Sequence, residues 1–414
     1  MNLDVRQQSV TDETGIHLEG PKDLEPSGTT WRKRLLQIFR RRYLVTFFLV
    51  AGLKLLAGLW VYSLVIASSG RFLTDWIPRE IGAGRLLPTA PFWPFLFQGW
   101  DSVFYVVIAR FGYVQFPLYA FFPAFPALIK AFGYLLGDYW AASAFLSIIL
   151  GIAWVPVFQK MAEHYLSERD AFEATILTAM FPYVFVFTTI AYTEALFILA
   201  TVSAWYLHLK GKHVAAGFLV ALATMTRAYG ILILLPMIVN VRKVALRIVF
   251  ELRLRIAYII PIASLLAWIV YLRMATGSWF TLVEAERQWI GKAGENTLSY
   301  FLWQLFTLHP ISPIPFGQLT PIFVFSLLFV VVILFLASRT WTIDHGLAVY
   351  SWLYLILLLI SGYAYSLFRL ASFVFPTWLV MRTGSRIGLA LVTVFFLITS
   401  ILVWFLFLMG YFVG

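Results

Sequence analysis

Two carboxylates and two guanidinium groups stand at breaks in otherwise apolar sequence, and their types suit chemistry on a phosphate-bearing molecule. Asp101 lies in Gly99-Trp100-Asp101-Ser102-Val103-Phe104-Tyr105, and Glu194 follows Tyr192 and Thr193. Arg227 interrupts an apolar run in Thr226-Arg227-Ala228-Tyr229-Gly230, and Arg369 closes Ser366-Leu367-Phe368-Arg369. A carboxylate at the water boundary of a membrane can accept a proton where a lipid-borne phosphate and a soluble acceptor meet. An arginine there needs a partner, which is either an acidic neighbour or an anionic ligand such as phosphate. Simpler roles are open to the same residues. Asp101 suits a helix N-cap, and Glu194 suits a solvated span end.

The elements that must position these groups are helices in a bilayer. Of 414 residues, 61% are hydrophobic and 12% charged, against about 25% charge in a soluble domain. Apolar runs long enough to cross a hydrocarbon core of about 30 Å recur along the chain. They centre near 43–66, 140–159, 171–190, 194–209, 213–226, 229–240, 256–274, 321–338, 346–365, 367–381 and 387–410. The two short runs at 213–226 and 229–240 read in part as one broken hairpin. The expected fold class is all-α, a polytopic transmembrane bundle of about eleven spans.

Charge sets the orientation. The formal net charge of +11 is not a nucleic-acid signal, because the basic residues fall in short loops between apolar runs. These are the 32–42 cluster, 160–169, Lys210 and Lys212, 242–255, Arg339 and Arg382–Arg386. All fall on the inner side if segment 117–136 does not cross. Pro117, Pro123 and Pro126 interrupt a helical ladder there, so the segment reads as interfacial or re-entrant on the outer face. The domain reading is a disordered cytoplasmic tail over 1–30 and a membrane domain over 31–414. The first outer loop is 67–139 with interfacial helices, and the second is 275–320.

Within the first outer loop, Trp100, Phe104, Val107, Ile108 and Phe111 form one apolar stripe at helical spacing, with Asp101 and Tyr105 just off it. Such a helix is expected to lie in the interface with that stripe toward lipid. Lys54, inside the first run, either snorkels or pairs within the bundle. His309 reads as a loop residue. Glu284, Glu286, Arg287, Trp289 and Lys292 read as a solvated face that could meet an acceptor. No metal-ligand spacing is evident, so a metal requirement and any cofactor stay undetermined. The absence of cysteine excludes disulfides and thiolate chemistry.

The block Trp100-Asp101-x-x-x-Tyr105-x-x-Ile108-Ala109-x-x-Gly112-Tyr113, followed by Ala120-Phe121-Phe122-Pro123-Ala124-Phe125-Pro126, resembles the PIG-V mannosyltransferases of the GT-C superfamily. Ala191-Tyr192-Thr193-Glu194-Ala195-Leu196-Phe197 and Thr226-Arg227-x-x-Gly230 come in that family's order, and Arg369 with Phe375-Pro376 is a weaker echo. Eukaryotic members often carry Arg before the Trp-Asp pair, where this chain has Gly99.

The resemblance implies a GT-C-like bundle, catalysis on the non-cytoplasmic face and a polyprenyl- or dolichyl-phosphate-mannose donor. By motif match, Asp101 is the base of an inverting transfer to a glycolipid or other outer-face acceptor. Glu194 is expected to assist it, with Trp100, Tyr105, Tyr113, Tyr192, Arg227 and Arg369 binding substrate. The implied location is the cell membrane, or the endoplasmic reticulum membrane in a eukaryote. A transporter or lipid flippase is the competing class. It would place charges near the bilayer midplane between repeated halves, and only Lys54 fits that pattern. A non-catalytic scaffold with the same fold is the third.

Overall fold

The computed structural model describes residues 41–67, 96–239, 252–290, 331–360 and 366–409, all within the unit Arg41–Gly414. The tail 1–30, most of the 32–42 cluster, Lys292, His309 and the closing 410–414 lie outside the described residues. So do much of both expected outer loops and most of 242–255.

The described residues are helical throughout their regular structure. Four helices are long and apolar enough to cross a membrane: α1 (Arg41–Ala67), α4 (Tyr139–Ala162), α10 (Leu252–Thr276) and α15 (Arg386–Leu408). Between them come α2 (Asp101–Phe111), a 3-10 turn (Phe116–Ala120), α3 (Ala124–Leu136), α5 (Glu168–Met180), α6 (Pro182–Phe187), α7 (Glu194–Leu209) and α8 (His213–Thr226). A 3-10 segment (Ala228–Ile233) and α9 (Leu234–Val239) precede α10, and α11 (Thr281–Ile290) comes after it. The last part holds α12 (Val331–Thr342), α13 (His345–Ile360), α14 (Leu367–Ala371) and a 3-10 stretch (Phe375–Val380) before α15.

Local chemistry explains several boundaries. Asp138 caps α4 by accepting from the backbone N–H groups of Trp140 and Ala141. Ser167 caps α5, with Glu168 and Asp170 in its first turn. Ser385 caps α15. Segment 117–136 contains only a 13-residue helix. At 1.5 Å per residue that is ~20 Å, too short for a hydrocarbon core. Pro123 is its cap and Pro126 lies in its first turn, where a missing N–H removes no helical bond. After α8 the 3-10 segment folds back onto it, while α9 packs chiefly against α13. A Cβ at Gly230 would stand 2.3 Å from the Ala223 carbonyl carbon.

Contacts sort the helix ends into two groups. At one end, Arg42 of α1 pairs with Glu163 at 2.8 Å and also with Glu168, and Arg382 pairs with Asp170 at 3.2 Å. Glu173 there accepts from Thr383 Oγ1 at 2.5 Å and from Gly384 N at 3.3 Å. The far end of α15, ~35 Å away for a helix of 23 residues, meets the Asp101 region. Trp404 Nε1 donates to Leu96 O at 2.8 Å, and Phe407 lies against Gly99.

Two buried stretches are not α-helical, Thr188–Thr193 and Phe373–Leu379. Such backbone survives at membrane depth only inside protein, with its polar groups satisfied. Ala191 N donates to Phe97 O at 2.7 Å and Trp378 Nε1 to Ser372 O at 2.9 Å. The runs expected at 171–190 and 367–381 are therefore broken segments rather than continuous helices. Pro182 breaks the first, where α6 starts anew.

Candidate functional site

The site forms where four separate breaks converge. Gly99-Trp100 turns the chain into α2. Trp100 takes φ 51°, a region costly for a side chain with a Cβ. Gly99 has no room for a side chain, because a Cβ would stand 2.7 Å from Phe407 Cε1. The cap of α2 is Trp100, without a side-chain cap bond, and Asp101 is the first helical residue. The Asp101 side chain is thus free of capping, and it points to Arg369. The simpler capping reading does not hold.

Arg369 links both acids. Its Nη1 donates to Asp101 Oδ2 at 3.4 Å and its Nη2 to Ser366 Oγ at 3.2 Å. Its Nε stands 3.2 Å from Glu194 Oε1 without the alignment of a hydrogen bond. Glu194 Oε1 also accepts from Arg227 Nη2 at 2.6 Å, and Arg227 Nε donates to Thr193 Oγ1 at 2.9 Å. The partner that Arg227 needs is therefore an acid. The face of Arg369 rests on the rings of Phe187 and Tyr192, 5.1 and 5.2 Å from their centroids.

Exposure separates the two acids. The Glu194 side chain is 2% exposed and that of Arg369 8%, whereas Asp101 keeps 31%. Asp101 is the carboxylate of this cluster that solvent reaches. Close packing still pushes its carboxyl above the ordinary aspartate range, with Arg369 opposing the shift and Glu194 adding to it. Glu194 is shut in by its two arginines, so the simpler reading of a solvated span end does not hold for it.

Of the eight residues singled out in the sequence, seven gather here. Tyr192 accepts from Asp101 N through its hydroxyl at 3.1 Å. The Tyr105 ring meets that of Tyr192 edge-on at 6.2 Å. Trp100 contributes through its backbone turn. Tyr113 stands apart. Its hydroxyl donates to Phe121 O at 2.9 Å and its ring stacks on Tyr119. Thr193, Ser366, Phe187 and Phe407 were not singled out. The first two adjoin residues that were, but nothing local in the sequence marks the two phenylalanines.

Two further expectations are corrected. Phe104, Val107 and Ile108 do not face outward but are buried, packed with Leu118 and Trp140. Trp289 of α11 adds to this cover at Phe104, while Phe111 at the end of the stripe stays exposed. The Trp289 ring lies 4.7 Å from that of Phe104, and its Nε1 donates to Pro117 O at 2.7 Å. The α11 residues are accordingly not just a solvated face. For Lys54, the second of its two expected roles holds, partnering within the bundle rather than snorkelling. It is 7% exposed and donates to Thr188 Oγ1 and Gly151 O.

Residues 92–273 match the model of a family described as Mannosyltransferase (PIG-V). Over 145 residues, 32% of this chain, the sequence is 32% identical to the GPI alpha-1,6-mannosyltransferase 2 of Rattus norvegicus. Over 143 residues it is 32% identical to the protein of the same name from Cricetulus griseus. The match spans 29% of the length of either relative. The resemblance carried by the Trp-Asp block is borne out, and the matched region contains Asp101, Glu194 and Arg227. Arg369 lies outside it.

Proposed function

We propose that this chain, related over residues 92–273 to the PIG-V mannosyltransferases, moves a mannosyl group from a polyprenyl- or dolichyl-phosphate carrier to a lipid-linked acceptor. The observation that carries the reading is a solvent-reached carboxylate, Asp101, held beside a buried arginine, Arg369, whose hydrogen bonds are long. A base and an anion-binding group thus stand in contact.

In the proposed step the acceptor oxygen attacks the anomeric carbon. The bond from that carbon to the phosphate oxygen breaks, and the single displacement inverts the centre. The acceptor's proton passes to Asp101, and the lipid phosphate leaves toward Arg369. A positioned base contributes about 10²–10⁴-fold, and a preorganised cation facing developing phosphate charge is commonly the larger contribution. Glu194 acts by holding Arg369 and Arg227 in place. Tyr192 and Tyr105 set the Asp101 backbone and the wall beside it.

The same proposal includes eleven passes with the amino end inside, and an active site on the non-cytoplasmic side of the cell membrane, or of the endoplasmic reticulum membrane in a eukaryote. Its support is the separation of ends. Arg42, Arg382 and their acidic partners lie at the end of α15 opposite Asp101, and basic clusters stay inside. The flippase reading loses its main feature, since Lys54 is engaged by the protein itself.

The test is transfer by purified protein from polyprenyl-phosphate-mannose to candidate glycolipid acceptors, comparing wild type with Asp101→Asn. The expected result is transfer by wild type and a loss of about 10²–10⁴-fold in the variant. Full transfer by Asp101→Asn overturns the base assignment. Lipid movement across vesicles without any sugar transfer overturns the enzyme reading.

A further inference from the structure

We infer that Lys54, deep in the first membrane helix, is a positioning residue for this site, acting through the segment Thr188–Thr193. The inference rests on the mannosyl-transfer reading only for its kinetic consequence, since the geometry stands without it. Lys54 Nζ donates to Thr188 Oγ1 at 2.7 Å, to Gly151 O at 3.1 Å and to Phe185 O at 3.5 Å. These partners come from the middle of α4 and from the place where α6 stops being helical. Gly151 lets the two backbones touch, because a Cβ there would stand 1.8 Å from Thr188 O. The polar groups freed by the end of α6 thus meet a donor carried on a third helix, α1.

The chain running on from Thr188 is the segment on which the site is built. Ala191 N donates to Phe97 O at 2.7 Å, and Tyr192 Oη accepts from Asp101 N at 3.1 Å. These two bonds hold the chain on both sides of the Gly99-Trp100 turn. Thr193 Oγ1 accepts from Arg227 Nε at 2.9 Å, and Glu194 comes next. A polar side chain is costly to bury in an apolar span, and an aliphatic residue would fill the same space. The amine instead fixes where α6 ends, and so the height at which Tyr192 and Glu194 meet Asp101 and Arg369. Misplacing a catalytic group by about 1 Å can cost about 10²-fold.

The experiment uses the full purified chain with Lys54→Met, Lys54→Gln and Thr188→Val, and two readouts. In hydrogen exchange, Lys54→Met should speed exchange at the amides of Ala191 and Asp101 while leaving those in the middle of α7 unchanged. In the transfer assay its kcat should fall by about 10-fold or more, with the KM for polyprenyl-phosphate-mannose within about twofold. Lys54→Gln, which keeps a donor, should recover part of both. Thr188→Val should reproduce the loss, and the Lys54→Met/Thr188→Val pair should add nothing further. Unchanged exchange at Ala191 and Asp101 in Lys54→Met overturns the inference, as does Lys54→Gln behaving like Lys54→Met. Should Lys54→Met not accumulate as folded protein, wild-type exchange in Thr188→Val overturns it. A wild-type protein that transfers no sugar overturns the functional reading instead, and the exchange readout still decides Lys54.

Discussion

Arg369 Nη1 lies 3.4 Å from Asp101 Oδ2, joining residues 268 positions apart in the chain. The same guanidinium reaches Ser366 and stands beside Glu194, so its planar fork serves three neighbours at once. An ammonium presents its donors from a single point and lacks that flat fork, so exchanging Arg for Lys at such a site is not conservative. Arg369→Lys should therefore lower kcat by ~10²-fold, the usual loss on removing one preorganised donor. It keeps the charge, so the protein should still fold, as circular dichroism would show. Wild-type kcat in Arg369→Lys would remove Arg369 from the proposed chemistry.

The pH dependence comes from Asp101. Packing raises its carboxyl above the ordinary range, and Arg369 pulls it back in part. A base works only when ionised, so kcat/KM should fall as pH falls through that raised value. The acid limb should then lie above the ordinary aspartate value of about 4. In Arg369→Met it should move higher still, because the opposing charge is gone. Stability has the other sign. The folded state holds the Asp101 proton more tightly than the unfolded state, so this contribution is complete below the unfolded pKa and is lost as pH rises through the folded one. An acid limb at or below pH ~4 in a pH–rate profile would contradict the assignment.

Gly99 precedes the Trp-Asp pair, and the Phe407 ring closes the space that a side chain there would need. Gly99→Ala should destabilise the turn by about 1–3 kcal/mol, the common cost of overpacking, and lower transfer by displacing Asp101. Combining it with Phe407→Leu should restore part of both, measured as thermal midpoint and kcat. Failure of the second change to help would show that the backbone angle at Gly99, not the ring, forbids a side chain.

The orientation can be read by labelling, because the chain contains no cysteine. Val114, 57% exposed near the Asp101 helix, and Lys212, exposed beyond the far end of α7, are each replaced singly by cysteine. A membrane-impermeant maleimide should label Val114→Cys on intact cells, and Lys212→Cys only after permeabilisation. The opposite pattern would put the proposed active site on the cytoplasmic face.

Much of this was legible in the sequence because the signals are local. Hydropathy adds up along a run, so the crossing helices α1, α4, α10 and α15 fall on expected apolar stretches. The prolines at 117–126 marked where a helix starts late, leaving α3 only 13 residues. Asp101, Glu194 and Arg227 stood out because an ionisable group in apolar sequence needs a reason. The sequence did not say which of them would pair. Ion pairing depends on distance in space, and the Arg369–Asp101, Arg227–Glu194 and Lys54–Thr188 contacts each join distant stretches of chain. Likewise the apolar stripe of α2 looked the same whether lipid or protein was to cover it. Residue type and spacing determined which groups had to be satisfied. Only the packing of the helices decided what satisfied them, and left Asp101 open to solvent while closing off Glu194.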